Sequence, residues 1–174
     1  MRSNQDDVEE FRRQLEKGSI QHGYRAILSY MMRLRTHCEK NLADCAVSDL
    51  YQGYMDITHF AIFPTLLKRH DLKIAIVFHY DSFRFEGWLA GRNRNIQQQY
   101  WRLFKGHSWP EYRIVAPAKG VYAILECDLA SDFDLDEPDA LTSTIETAAV
   151  AFINDIERFL SEEERKRSGP TRAR

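Results

Sequence analysis

Between Ile20 and Leu42 the apolar positions Ile20, Tyr24, Ile27, Leu28, Met31, Leu34 and Cys38 recur at intervals of three and four, the stripe of an amphipathic helix. A shorter polar helix over Gln5 to Lys17 precedes it, with Val8, Phe11 and Leu15 on one side and Gly18-Ser19 as the break. Together they predict a helical hairpin. The pattern then changes: Tyr54 to Ile62 is rich in aromatic and β-branched residues and runs into Pro64, where a strand should stop.

Leu72 to Ala90 alternates as a β-hairpin with Asp81 and Ser82 in the turn. A two-residue loop makes Phe78 face Phe85, His79 face Arg84, Val77 face Glu86 and Ala75 face Trp88. Period-two alternation sends Ile74, Ile76, Phe78, Tyr80, Phe83, Phe85 and Leu89 to a core face. Lys73, Ala75, Val77, His79, Arg84, Glu86 and Trp88 fall on the other, mixed face. After Gly91, Asn93 or Asn95 caps a helix whose inner side is Ile96, Tyr100, Leu103 and Phe104, ending at Gly106. Two further strands are expected, Tyr112 to Val115 and Val121 to Leu129, joined by a turn with Pro117 and Gly120. A long last helix follows Pro138, with Leu141, Ile145, Ala149, Phe152, Ile156, Phe159 and Leu160 along one stripe. The predicted fold is α+β: N-terminal helices and a long C-terminal helix packed on a mainly antiparallel sheet of about five strands, with one inserted helix. Residues 1–165 form one domain, and the basic tail from Lys166 is expected to be disordered.

The blocks SDLYQGYMDITHFAIFP (Ser48 to Pro64), LKIAIVFHYDSFRFEGWLAGRNR (Leu72 to Arg94) and QYWRLFKGHSW (Gln99 to Trp109), followed by KGV and DALTSTIE, resemble a family of small bacterial single-domain proteins of unknown function. Asp49 separates Ser48 from Leu50 where the family pattern has the serine adjacent. The similarity runs from Tyr24 to Leu160, with FRFEGWLAGRNR its most specific part. It implies a bacterial, cytoplasmic, self-contained domain and transfers no catalytic residue.

Composition narrows the classes. At 174 residues and a formal net charge of −2, neither a global nucleic-acid binder nor a membrane-surface protein is indicated. No apolar run approaches the roughly 20 residues that span a bilayer, and no membrane partner is expected. Cys38, Cys45 and Cys127 are odd in number and too widely spaced for a zinc clip, which points to a reducing, cytoplasmic location. The charge is uneven. Arg92, Arg94, Arg102, Lys105, Arg113 and Lys119 lie between Ala90 and Gly120 against Glu111 alone, whereas thirteen acidic residues between Val121 and Glu164 oppose Arg158. Interleaved with Tyr100, Trp101, Trp109 and Tyr112, the basic stretch has the composition of a surface for single-stranded nucleic acid. Complementarity between the two halves, within one chain or in a homodimer, explains the same string.

Three constellations carry candidate chemistry. On the mixed face His79, Arg84 and Glu86 supply an imidazole, a guanidinium and a carboxylate, the parts of an acid/base or anion-recognising site, with Asp56 joining if its strand pairs alongside. The same residues also make an ordinary solvated network, and on either reading Glu86→Gln would leave stability nearly unchanged. Trp88 beside Ala75 offers an aromatic wall. At the Gly91 to Ile96 turn, Arg92 and Arg94 flank a helix start whose free N–H groups favour a phosphate or carboxylate, so Trp88, Arg92, Arg94 and Asn95 are the candidate ligand-binding residues. Metal binding is not expected, because Asp56 and His59 are three apart on a predicted strand and point to opposite faces, and neither a nucleophile elbow nor any cofactor motif is present. The reading is a binding or regulatory module for an anionic ligand or a protein partner. The alternative is a hydrolase or transferase acting on a phosphorylated or nucleic-acid substrate, with His79, Arg84 and Glu86 as its catalytic set.

Overall fold

The computed structural model describes residues 3–168. The elements run α1 (Asn4–Glu16), α2 (Ser19–Asn41), β1 (Cys45–Val47), β2 (Ile57–Pro64), α3 (Thr65–Arg69), β3 (Leu72–His79), β4 (Arg84–Gly91), α4 (Arg94–Lys105), β5 (Arg113–Ile114), β6 (Ala123–Ala130) and α5 (Pro138–Ser168). The fold is α+β. The strands form one antiparallel sheet in the order β1-β2-β3-β4-β6-β5, six strands rather than about five.

The additional strand and α3 are too short for periodicity to reveal. β1 is a three-residue edge strand held to β2 by its pairing, and α3 is a single turn seated by Leu67, which is fully buried. β2 begins at Ile57 rather than Tyr54, because Gly53, Tyr54, Met55 and Asp56 form a tight loop. Gly53 has φ +72° and Met55 φ +61°, and the Asp56 carboxylate accepts the Tyr54 N–H at 2.8 Å. Pro64 closes the strand from within it. Of the segment expected as tail, Lys166 to Ser168 continues α5, with Lys166 bonded to Glu163; the remainder, 169–174, lies outside the described residues.

The hairpin has the register read from the alternation, Ile74 opposite Leu89 and Phe78 opposite Phe85. Its loop is four residues, Tyr80 to Phe83, with Phe83 at φ +51°; the register survives because adding one residue on each side keeps the pairing sum. One face of the sheet carries the core. Ile74, Ile76, Phe78, Phe85 and Leu89 pack with Met31 and Leu34 of α2, Leu67 of α3, Tyr100 and Phe104 of α4, and Ile145, Phe152 and Ile156 of α5. Burying 28 apolar side chains in one cluster stabilises the domain by removing that surface from water. α1 is different. It packs against α2 and has no buried residue, with Val8 59% and Phe11 52% exposed. Since α2 to α5 all direct their apolar side chains to the same core, no helix among the described residues covers the second face of the sheet.

Among the described residues no helix is long and apolar enough to cross a membrane.

Candidate functional site

Alternation along β3 and β4 places Ala75, Val77, His79, Arg84, Glu86, Trp88 and Ala90 on that open face. Glu86 is nonetheless only 3% exposed. Its Oε1 accepts the Arg84 Nε–H at 2.7 Å and its Oε2 accepts the Trp88 indole N–H at 2.7 Å. The three side chains lie two residues apart on one strand, so the strand itself holds the clasp. Arg84 also approaches Asp128 of β6 at 3.5 Å, and its hydrogen bond to Glu86, with a smaller contribution from Asp128, pushes the guanidinium pKa further up. Glu86 is therefore not a solvated surface carboxylate, and its near-neutral replacement by Gln does not follow. His79 is turned toward the hairpin loop, where its Nδ1 accepts the Ser82 N–H at 3.3 Å, and its ring centre lies 6.4 Å from that of Trp88. The structure brings Arg84, Glu86 and Trp88 together and leaves His79 at the margin.

Beside this clasp lies a cleft of about 400 Å³ whose walls include Tyr51, His59, Lys73, Trp88, Arg92 and Tyr122. Its depth has a sequence cause. Ala75 and Ala90 stand between larger neighbours on β3 and β4, so the sheet is locally hollow. β2 contributes His59, and Tyr51 reaches the same edge through an antiparallel bridge to His59, their rings 5.0 Å apart. Tyr122 precedes β6 and is 66% exposed. Asp56 also lines the cleft: as a loop residue it shares the side of His59, which corrects the placement of the two on opposite faces. N–H groups of Tyr54 and Ile57 hold its carboxyl below the usual range. Burial, and then the charge of Lys73, lower the pKa of His59. Its buried Nδ1 has no hydrogen-bond partner among the described residues.

A second cleft of about 340 Å³ adjoins the first, sharing Lys73 and Arg92 and adding Phe63, Lys68 and Asp71. The Arg92 backbone N–H donates to the Asp71 carbonyl at 2.8 Å, and its guanidinium approaches the Asp71 carboxylate at 3.4 Å while remaining 76% exposed. Of the arginines flanking the α4 start, Arg92 thus reaches the clefts. Arg94 is engaged elsewhere, donating to the Ala118 carbonyl at 2.7 Å. Asn93 is the cap, its side-chain oxygen accepting the Ile96 N–H at 3.0 Å, and Asn95 is an exposed first-turn residue outside both clefts. Gly91 matters sterically: a Cβ there would sit 2.7 Å from the Gln97 backbone nitrogen, so α4 packs directly on the end of β4.

Alternation had already put Lys73, Ala75 and Trp88 on one face. Tyr51, His59 and Tyr122 were missed, because a bridge outside the regular strands and the order of β6 beside β4 bring them in. Among the described residues no group of three His, Cys, Asp or Glu side chains is placed to hold a metal ion.

Residues 4–160 match the model of a family described as a domain of unknown function, DUF7000. The chain belongs to this family. The match includes α1 and so extends further toward the N-terminus than the resemblance read from the motif blocks. No curated protein and no solved structure matches the chain. Membership brings no activity with it, and the functional reading rests on the open face.

Proposed function

We propose that the protein is a binding module that takes an anionic small molecule in the cleft on the open face of the sheet, within a bacterial cytoplasm. The observation that carries this is the meeting of aromatic walls with Lys73 and Arg92 around a hollow floored by Ala75 and Ala90. Its volume falls in the range of about 300–1,000 Å³ common for small-molecule sites. A rigid sheet positions the lining groups before any ligand arrives, which lowers the ordering cost of binding. Three unpaired cysteines suit a reducing compartment.

The hydrolase or transferase alternative has less support. Both oxygens of Glu86 are committed to Arg84 and Trp88, and Glu86, Arg84 and His79 do not line the cleft. The test is a titration of the protein with phosphate, sulfate, citrate and nucleotides at low salt, followed by amide NMR. Shifts at Lys73, Ala75, Trp88 and Ala90, lost in Lys73→Ala with Arg92→Ala, are expected. If these amides stay still with every anion, the cleft is not an anion site.

A further inference from the structure

Resting on the reading of the open face as an anion site, the geometry points to a ligand class: we infer that the two adjoining clefts accept a nucleoside monophosphate, its base among Trp88, Tyr122 and His59 and its phosphate at Lys68, Lys73 and Arg92.

The argument begins with how the two hollows differ. The larger one is aromatic, with Tyr51, Trp88 and Tyr122 around the alanine floor. The smaller one holds three cations, Lys68, Lys73 and Arg92, against one carboxylate, Asp71. They meet at Lys73 and Arg92, which line both. A ligand that fills the pair must therefore carry a flat apolar part and an anionic part joined by a short link. A simple anion leaves the aromatic hollow unused, and a neutral ring leaves the cations unused. Aromatic faces accept any base by stacking, and Trp and Tyr present large planar surfaces at low conformational cost.

His59 favours a nucleobase over a plain hydrocarbon ring. The imidazole ring lines the aromatic hollow beside Tyr51 and Trp88, which puts a polar group among the apolar walls. Burial and the charge of Lys73 lower its pKa, and an imidazole nitrogen at the cleft wall can pair with the polar edge of a base, which a hydrocarbon ring lacks. Asp56, kept ionised by the Tyr54 and Ile57 N–H groups, is an acceptor on the same wall for a sugar hydroxyl or an exocyclic amine. The arginine is suited to its end as well: 76% of its side-chain surface is exposed and it holds Asp71 by one long contact of 3.4 Å through Nη1, which leaves its other N–H groups for phosphate oxygens.

The experiment compares AMP, GMP, CMP and UMP with adenosine, ribose 5-phosphate, inorganic phosphate and a ten-residue oligodeoxythymidine, by calorimetry and amide NMR on the full chain. At least one nucleotide is expected to bind about tenfold or more tightly than ribose 5-phosphate, the scale of one stacked base, and more tightly than adenosine, which lacks the phosphate. Tyr122→Ala, at an exposed residue, should weaken that nucleotide about tenfold and leave phosphate unchanged. Lys73→Ala should weaken both. Ala75→Leu, which fills the floor, should abolish nucleotide binding; Tyr122→Ala serves where that variant does not fold. Ribose 5-phosphate binding as tightly as every nucleotide overturns the nucleotide inference and leaves the anion reading standing. No binding of any phosphate, with the cleft amides unmoved, overturns both. Oligonucleotide binding more than a hundredfold tighter than any mononucleotide replaces the mononucleotide with a strand.

Discussion

Replacing Glu86 by Gln tests whether the clasp on the open face is structural. The carboxylate is 3% exposed and accepts two N–H donors at 2.7 Å, one from Arg84 and one from Trp88. A glutamine of the same shape brings one carbonyl oxygen and one NH2 group, so one donor then faces another donor. Arg84 keeps a distant carboxylate, Asp128 at 3.5 Å, whereas Trp88 has no other acceptor in the clasp. Losing one charge-assisted bond and converting the other to a neutral bond costs about 2–3 kcal/mol, given about 1.5–3 kcal/mol for hydrogen bonds to charged groups. For a chain of this size that lowers Tm by roughly 4–12 °C, at 2–4 °C per kcal/mol. Urea unfolding followed by tryptophan fluorescence gives the free energy, and the cycle with Trp88→Phe isolates the indole bond. In the Trp88→Phe background Glu86→Gln should cost at least about 0.5 kcal/mol less. A loss below about 0.5 kcal/mol in the native background, with no coupling to Trp88, would falsify the clasp and return Glu86 to the solvated face.

Phe78→Ala or Phe85→Ala should cost about 3–5 kcal/mol, since both rings are fully buried, while Tyr54→Ala, at 89% exposure, stays within about 0.5 kcal/mol; comparable losses in urea unfolding would show the faces to be mixed. The lowered pKa of His59 means that the unfolded chain binds more protons there, so its contribution is intact above the unfolded value near 6.5 and is lost as pH falls below it. Unfolding free energies of wild type and His59→Gln between pH 7.5 and 5 should therefore converge toward acid, and parallel curves would refute the assignment. Burial raises the Cys38 pKa to about 12 and the Cys127 pKa to about 11, and Cys45 is the one cysteine that is not buried. At pH 8 an aromatic disulfide reagent should modify Cys45 first and the other two only at the rate of opening; mass spectrometry showing early labelling of Cys38 or Cys127 counts against the packing.

The two-layer character of this chain was legible along the sequence because each long element is periodic over more than two turns or several alternations. The stripe from Ile27 to Cys38 buries where its spacing places it, and the strand pair from Leu72 to Gly91 has the register its alternation specifies, since a slip of one residue would turn Phe78 and Phe85 out of the core. That face-sorting also put Lys73, Ala75 and Trp88 on one side, which is one part of the cleft. Alternation reports a direction from the sheet and nothing about what surrounds a side chain. For that reason Glu86 read as a surface carboxylate, although the i±2 neighbours Arg84 and Trp88 fold over it. It likewise could not place Arg92 in the cleft and Arg94 outside it, because that depends on Asp71 and on the Ala118 loop, each more than twenty residues away in the chain. Another part of the site, Tyr51 through its bridge to His59 and Tyr122 through the placement of β6 beside β4, is decided by strand order. Strand order is a long-range choice set by which faces bury together, and only the tertiary structure makes it.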